Sequence, residues 1–309
     1  MRADTFSFKA EDTTELFVYR WLPDEGVARK GVVHIAHGMA EHAARYARFA
    51  EALTAAGYAV YGNDHRGHGQ TAKGPGDLGA FGSGGFKRAV QDLEQLLVLE
   101  KSESPGLPVF LFGHSMGSFL TQAFLIESGA ALKGAILSGS SGKPSLLASA
   151  GRLVARLERA RLGAGGKSKL LNTVSFDAFN KAFAPNRTGF DWLSRDAAEV
   201  DKYVADPLCG FEVTTQLWVD VLDANADNAR PDRQARVPAA LPVYVFAGSE
   251  DPVGEKTASL KQLVGAYQKA GLKDVTHRFY QGGRHEMLNE TNRDEVTRDV
   301  VAWLDAHLG

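Results

Sequence analysis

A serine becomes a useful nucleophile when a turn lifts its hydroxyl clear of the backbone and a histidine stands by to take its proton. Gly113-His114-Ser115-Met116-Gly117 offers the first condition. An apolar run from Val109 to Phe112 precedes it, and a small-and-apolar helical run through Ala123, Phe124 and Ile126 follows. Strand, Gly-x-Ser-x-Gly and helix in succession make a nucleophile elbow, whereas the bare five-residue pattern carries little weight. Glycines belong at 113 and 117 because side chains flanking so sharp a turn would collide. The turn also leaves the Met116 N–H at a helix N-terminus, where it can face an oxyanion.

The partners of such a serine are expected downstream, an acid and then a histidine, each just beyond a late strand. Gly248-Ser249-Glu250-Asp251-Pro252-Val253 directly follows the apolar run Leu241–Ala247. Asp251 is the candidate acid and Glu250 its rival, since Pro252 suits a turn that presents Asp251. The candidate base is His285, in Gly282-Gly283-Arg284-His285-Glu286, the sole histidine between Tyr280 and the C-terminal helical run. A second oxyanion donor is expected from a loop after an early strand, and His37-Gly38-Met39 nominates the Met39 N–H. His37 is then a loop-shaping residue and not a base.

No metal and no cofactor are expected. His34 with His37, and His65 with His68, lack a third partner at a recognised spacing. Gly74-Pro75-Gly76-Asp77-Leu78-Gly79 spells a dinucleotide fingerprint but follows a polar loop, not a strand. Gly165-Gly166-Lys167-Ser168 has Arg161 where a phosphate loop needs its first glycine.

Groups this far apart need a sheet to bring them together. Thr5–Lys9 and Leu16–Trp21 alternate apolar with polar residues, as an antiparallel edge pair does. Gly31–His37, Tyr58–Gly62, the elbow strand, Leu132–Ser138 and Leu241–Ala247 are apolar runs covered on both faces. Helical patterns lie between them, notably Phe86–Leu99, and Val275–Tyr280 with the helix Glu295–Leu308 closes the chain. The alternation predicts an α/β fold, a mostly parallel doubly wound sheet. It breaks for a hundred residues that hold several helical segments and no strand. The expected organisation is a core of residues 1–138 and 240–309 with a helical cap inserted at 139–239.

The 309 residues carry 44% hydrophobic and 23% charged side chains with a net charge of −2, which fits an ordinary globular protein and excludes nucleic acid as the main partner. One cysteine, Cys209, excludes an internal disulfide and fits a reducing compartment; its expected role is packing. Without an apolar leader or a membrane-length apolar run, the chain reads as cytoplasmic or at most peripheral to a membrane.

Four stretches together resemble the α/β-hydrolase family of monoglyceride lipases and bacterial lysophospholipase-like esterases. They are His37-Gly38-Met39-Ala40-Glu41-His42 with Arg45-Tyr46, Asp64-His65-Arg66-Gly67-His68-Gly69, the elbow, and Gly283-Arg284-His285-Glu286. The resemblance implies a cap over the site, Asp251 as the acid, and Glu41, Arg45 and His114 near the polar, glycerol-side end of the pocket. A plain salt bridge is the competing reading of Glu41 and Arg45. Met39 departs from the small residue usual in monoglyceride lipases, and Asp64–Gly69 reads as a charged structural loop beneath the site. The implied activity is hydrolysis of carboxylic esters through an acyl-enzyme, on monoacylglycerols or similar single-chain lipids. Lysophospholipase, general carboxylesterase and aminopeptidase are the alternatives. The last would need a cap carboxylate such as Glu199, Asp201 or Asp220.

The cap says less. Ser145–Leu162 places Arg152, Arg156 and Arg159 on one helical face, expected to be solvated and otherwise suited to transient contact with lipid aggregates. Phe176, Phe179 and Phe183 recur at helical spacing behind a possible N-cap, Ser175. The stripe reads as cap core that can also line an acyl groove, with Phe179 as its substrate-binding candidate.

Overall fold

The structure, a computed structural model, describes the whole chain, Met1–Gly309. β1 (Arg2–Lys9) and β2 (Glu15–Leu22) form an antiparallel ribbon, and β2 continues antiparallel onto β4 (Tyr58–Asn63). Every further neighbour is parallel: β3 (Gly31–Ala36), β5 (Val109–His114), β6 (Gly134–Ser138), β7 (Val243–Gly248) and β8 (Val275–Tyr280). The order across the sheet is β1-β2-β4-β3-β5-β6-β7-β8. β3 to β7 are buried along their whole length, which is why they read as continuous apolar runs.

Helices cover both faces. α1 (Ala47–Ala55) lies on one side, and α2 (Gly85–Glu103) and α3 (Met116–Ser128) on the other. The interval between β6 and β7 holds helices joined by loops, with no strand beyond one isolated bridge, Lys167 with Thr214. It holds α4 (Leu146–Leu162), α5 (Lys169–Asn172), a π-helical turn (Thr173–Asp177), α6 (Ala178–Lys181), α7 (Ala197–Ala205), α8 (Thr215–Asn228) and α9 (Pro231–Gln234). α10 (Ala258–Lys269) and α11 (Arg293–Ala306) follow, the latter beside α1. Two large apolar cores result, one per sheet face, with smaller clusters at the β1–β2 edge and within the insertion; Leu217, Trp218, Val219 and Val221 of α8 join the largest.

One expectation for this part of the insertion is corrected. Ser175 lies inside the π-helical turn, where its hydroxyl donates to the Leu171 carbonyl, so it caps no helix. The arginine face of α4 stays solvent-accessible, with Arg156 and Arg159 exposed, and is tied to the neighbouring helix as well. Arg152 and Arg156 both bind Asp223 of α8, and Arg159 binds Gln216 of the same helix. Apolar side chains are exposed too: Leu146 and Leu147 are 92% and 83% exposed, and Leu153 and Leu157 are 60% exposed each. Spacing along α4 defines its faces, and side chains of α8 anchor the one that bears the arginines.

Candidate active site

β5 ends at His114 and α3 begins at Met116, so Ser115 turns the chain alone, at φ 50° and ψ −119°. A non-glycine residue held there stores about 1–3 kcal/mol of strain, a cost that persists only where the surroundings enforce it. They do so here. A Cβ on Gly113 would strike Gly117 and Thr121, and one on Gly117 would strike the Ala36 and His37 carbonyls.

The acid and the histidine arrive on the loops after β7 and β8. The His285 Nδ1 lies 3.0 Å from both Asp251 carboxylate oxygens, and both residues are buried. Glu250 instead pairs with Lys256, at 2.8 Å. With Nδ1–H donating to Asp251, the Nε2 of neutral His285 is the nitrogen left to accept a proton. Burial disfavours a charged imidazole, but Asp251, Glu286 and Glu41 outweigh it and raise the His285 pKa above its ordinary value. His114 lies against His285 with ring centroids 4.7 Å apart and goes the other way: burial and the neighbouring His285 lower it to about 4, so it is neutral near pH 7.

The loop after β3 supplies the remaining polar wall. The Gly38 N–H donates to Glu41 Oε1 at 2.6 Å, and the Tyr46 hydroxyl donates to the same oxygen at 2.9 Å. The Met39 and Met116 N–H groups have no acceptor within the protein, and Met116 opens α3, where that is the rule. His37 accepts from the His65 N–H at Nε2, which places its proton on Nδ1, donated to the Gly38 carbonyl at 2.7 Å. The imidazole is thus a fixed neutral strut. Beneath it, Asp64 accepts from the Ala43 and Gln70 N–H groups, and Arg66 binds Asp12 and Asp92.

Arg45 is held away from the cavity around Ser115. Its guanidinium binds Glu41 on one side and clasps Glu286 in a two-pronged pair at 2.7 Å on the other. Burial alone would raise the Glu286 carboxyl, but Arg45 overrides it and holds the pKa down to about 2. One buried cation therefore joins the loop after β3 to the histidine loop, and the trio carries net negative charge.

Ser115, His114, His285, Met39, Glu41 and Glu286 open onto one cavity of about 130 Å³. The insertion closes it with Asn172, Phe176, Asp177, Phe190, Trp192, Leu193, Tyr203 and Phe211. Of the phenylalanine stripe, only Phe176 lines this space. Phe179 stands behind the wall, packed on Trp192 with ring centroids 5.3 Å apart, and Phe183 lies under the Arg284 guanidinium. The π-helical turn rotates the stripe out of regular register, which the sequence period does not show. Glu199, Asp201 and Asp220 do not face the cavity; Glu199 binds Arg48 and Lys202, and Asp201 binds Arg187. Cys209 packs with Trp192, Leu193 and Tyr203, and burial raises its thiol pKa.

Three residues of the site fall outside the roles expected from sequence. Glu286 follows His285 directly and was visible in the motif. Tyr203, whose hydroxyl donates to the Ala40 carbonyl at 2.9 Å, and Trp192, beside His285, sit far from any motif and carried no signal.

A family model described as serine aminopeptidase, S33 (Hydrolase_4), matches residues 28–292. The chain is 30% identical to a monoacylglycerol lipase of Mycolicibacterium smegmatis over 93% of its own length and 92% of that protein. It is also 30% identical to a monoglyceride lipase of Rattus norvegicus, covering 94% and 85% of the two chains. In structure it resembles a thermostable carboxyl esterase from Bacillus coagulans solved with glycerol, with a TM-score of 0.91, 27% identity and full coverage of both chains.

Proposed function

We propose a monoacylglycerol-cleaving role for this chain, which belongs to the serine aminopeptidase S33 (Hydrolase_4) family of α/β-hydrolases. It is a serine hydrolase of carboxylic esters. The observation that carries the finer reading is the mixed lining of the cavity above Ser115. Glu41, Glu286 and His114 offer polar groups suited to the hydroxyls of a glycerol head. Met39, Phe176, Phe190, Trp192, Leu193 and Phe211 offer apolar surface suited to an acyl chain. In this reading residues 139–239 act as a cap.

In the proposed mechanism the Ser115 hydroxyl attacks the ester carbonyl while His285 Nε2 takes its proton. The Met39 and Met116 N–H groups hold the tetrahedral oxyanion, and Asp251 orients the imidazole and stabilises its charged form. His285 then protonates the departing alcohol and activates water to clear the acyl-enzyme.

No lysine or arginine lines the cavity, which disfavours a phosphate head group. No helix is long and apolar enough to cross a membrane. The exposed leucines of α4 support transient contact with lipid aggregates, and the lone cysteine suits a reducing, cytoplasmic setting. The test is kcat/KM for matched-acyl monoacylglycerol, diacylglycerol, lysophosphatidylcholine, a short p-nitrophenyl ester and an aminoacyl-arylamide, with Ser115→Ala as blank. A clear preference for monoacylglycerol is expected. Equal or better turnover of the short ester overturns the lipid assignment, and preference for the arylamide replaces it with a peptidase.

A further inference from the structure

The imidazole of His285 is enclosed on two sides by rings from different parts of the chain. His114, from the end of β5, lies on one side with centroids 4.7 Å apart at 48°. Trp192, from the insertion between α6 and α7, lies against it with centroids 4.8 Å apart at 33°. The indole is 5% exposed and is backed by Phe176, stacked at 5.8 Å and 16°, and by Phe179. It is thereby fixed in place.

The backbone around Trp192 grips the histidine loop directly. The His285 N–H donates to the Trp192 carbonyl at 3.4 Å, and the Glu286 N–H to the Leu193 carbonyl at 2.8 Å. Arg284 donates to the Asp191 and Ser194 carbonyls, and the Ser194 hydroxyl donates to the Asn289 carbonyl at 2.8 Å. Arg195 binds Glu290 at 2.9 Å. Residues 191–195 thus form a strap across the loop that carries the base.

An ester hydrolase with this geometry must place a positive charge on His285 each time Ser115 gives up its proton. A cation within about 6 Å of an indole face is attracted to the negative side of the ring quadrupole, and more strongly where water is excluded. We propose that Trp192 stabilises the imidazolium formed on His285, so that a residue of the insertion acts through the base as a positioning and charge-stabilising residue. His114 is neutral and offers the imidazolium only a smaller, weaker ring face. The other groups facing the imidazole are Asp251 at Nδ1, with Glu286 and Glu41 beyond. Arg45 is spent on those two carboxylates. Of the two neutral rings against the imidazole, the indole of Trp192 presents the stronger π face. The inference rests on His285 being the general base.

The test compares Trp192→Phe and Trp192→Leu with the parent enzyme on a soluble p-nitrophenyl ester, using kcat, KM and the pH profile of kcat/KM. His285 is also titrated by NMR in the Ser115→Ala background. Losing the indole is expected to lower kcat about tenfold with little change in KM and to move the acid limb and the His285 pKa down by about one unit. Phenylalanine, with a weaker face of similar packing, is expected to recover at least half of both shifts. Thermal melting shows whether each variant is folded. Should Trp192→Leu unfold, a ring-fluorinated tryptophan placed at 192, unchanged in shape but weaker in its face, must give the same downward shift. A lowered kcat with an unmoved His285 pKa overturns the proposal and leaves Trp192 a packing residue. If the parent reacts with a fluorophosphonate at Ser115, such a result overturns the tryptophan inference alone; an unreactive parent overturns the esterase mechanism itself.

Discussion

The loops around Ser115 and the insertion above them both bury polar and aromatic groups, yet they are held by different means. Each group of the lower site leaves the end of a parallel strand: Met39 after β3, Ser115 after β5, Asp251 after β7 and His285 after β8. Their partners are short hydrogen bonds between loops whose places the sheet dictates. The insertion has no sheet to dictate anything. Trp192, Phe176, Tyr203 and Trp218 find one another across dozens of residues by packing. A scaffold of strands makes chemistry predictable from chain order, whereas a helical layer makes shape depend on contacts that no single segment encodes.

Breaking the lower site should have the largest effect. Ser115→Ala is expected to cut kcat by at least about 10⁴-fold with the melting temperature preserved or raised, measured by ester turnover and calorimetry. Retention of even a hundredth of the activity would remove Ser115 as nucleophile.

The joint between the regions can be sharpened through Glu286. Its carboxylate favours charged His285, so kcat/KM should fall as pH drops through a His285 pKa above 6.5. Glu286→Gln is expected to move that limb down by about half a pH unit, because the charge raising the pKa is gone. It should also cost about 1–3 kcal/mol in urea unfolding, limited because Arg45 keeps Glu41. Glu286 has a depressed folded pKa, so its contribution to stability is present above the ordinary 4.5 and is lost as pH falls towards about 2. An unmoved limb would show that Glu286 only props the loop.

The smallest effect is expected at the outer surface. Leu146→Ser with Leu147→Ser should leave soluble-ester kcat/KM unchanged and stability within about 0.5 kcal/mol, while lowering partition onto lipid vesicles in sedimentation. Unchanged partition would make the exposed leucines incidental.

The same contrast sets how much was legible in the sequence. The sheet and the elbow follow from strand ends and turn chemistry, and so does the expectation that Asp251, not Glu250, stands beside His285, where the structure places it. α4 and the phenylalanine stripe show where that reading stops. Helical period finds a face but not the partners on it: Asp223 on α8 ties down the exposed arginines, and one π-helical turn puts Phe176 instead of Phe179 at the cavity. Trp192 carried no signal because its partner, His285, lies 93 residues away in the numbering of the chain.

The strap at residues 191–195 also constrains how such a protein can diversify. A chimera that exchanged the whole insertion for another would remove the carbonyls that hold His285 and Glu286, and so would unseat the proposed proton acceptor along with the aromatic wall of the cavity. Exchanges that keep Asp191 to Arg195 and vary α4 to α6 or α8 leave those attachments whole. Under the proposed mechanism, new substrate ranges are therefore most accessible through the outer helices, with five residues of the insertion inherited together with the His285 loop.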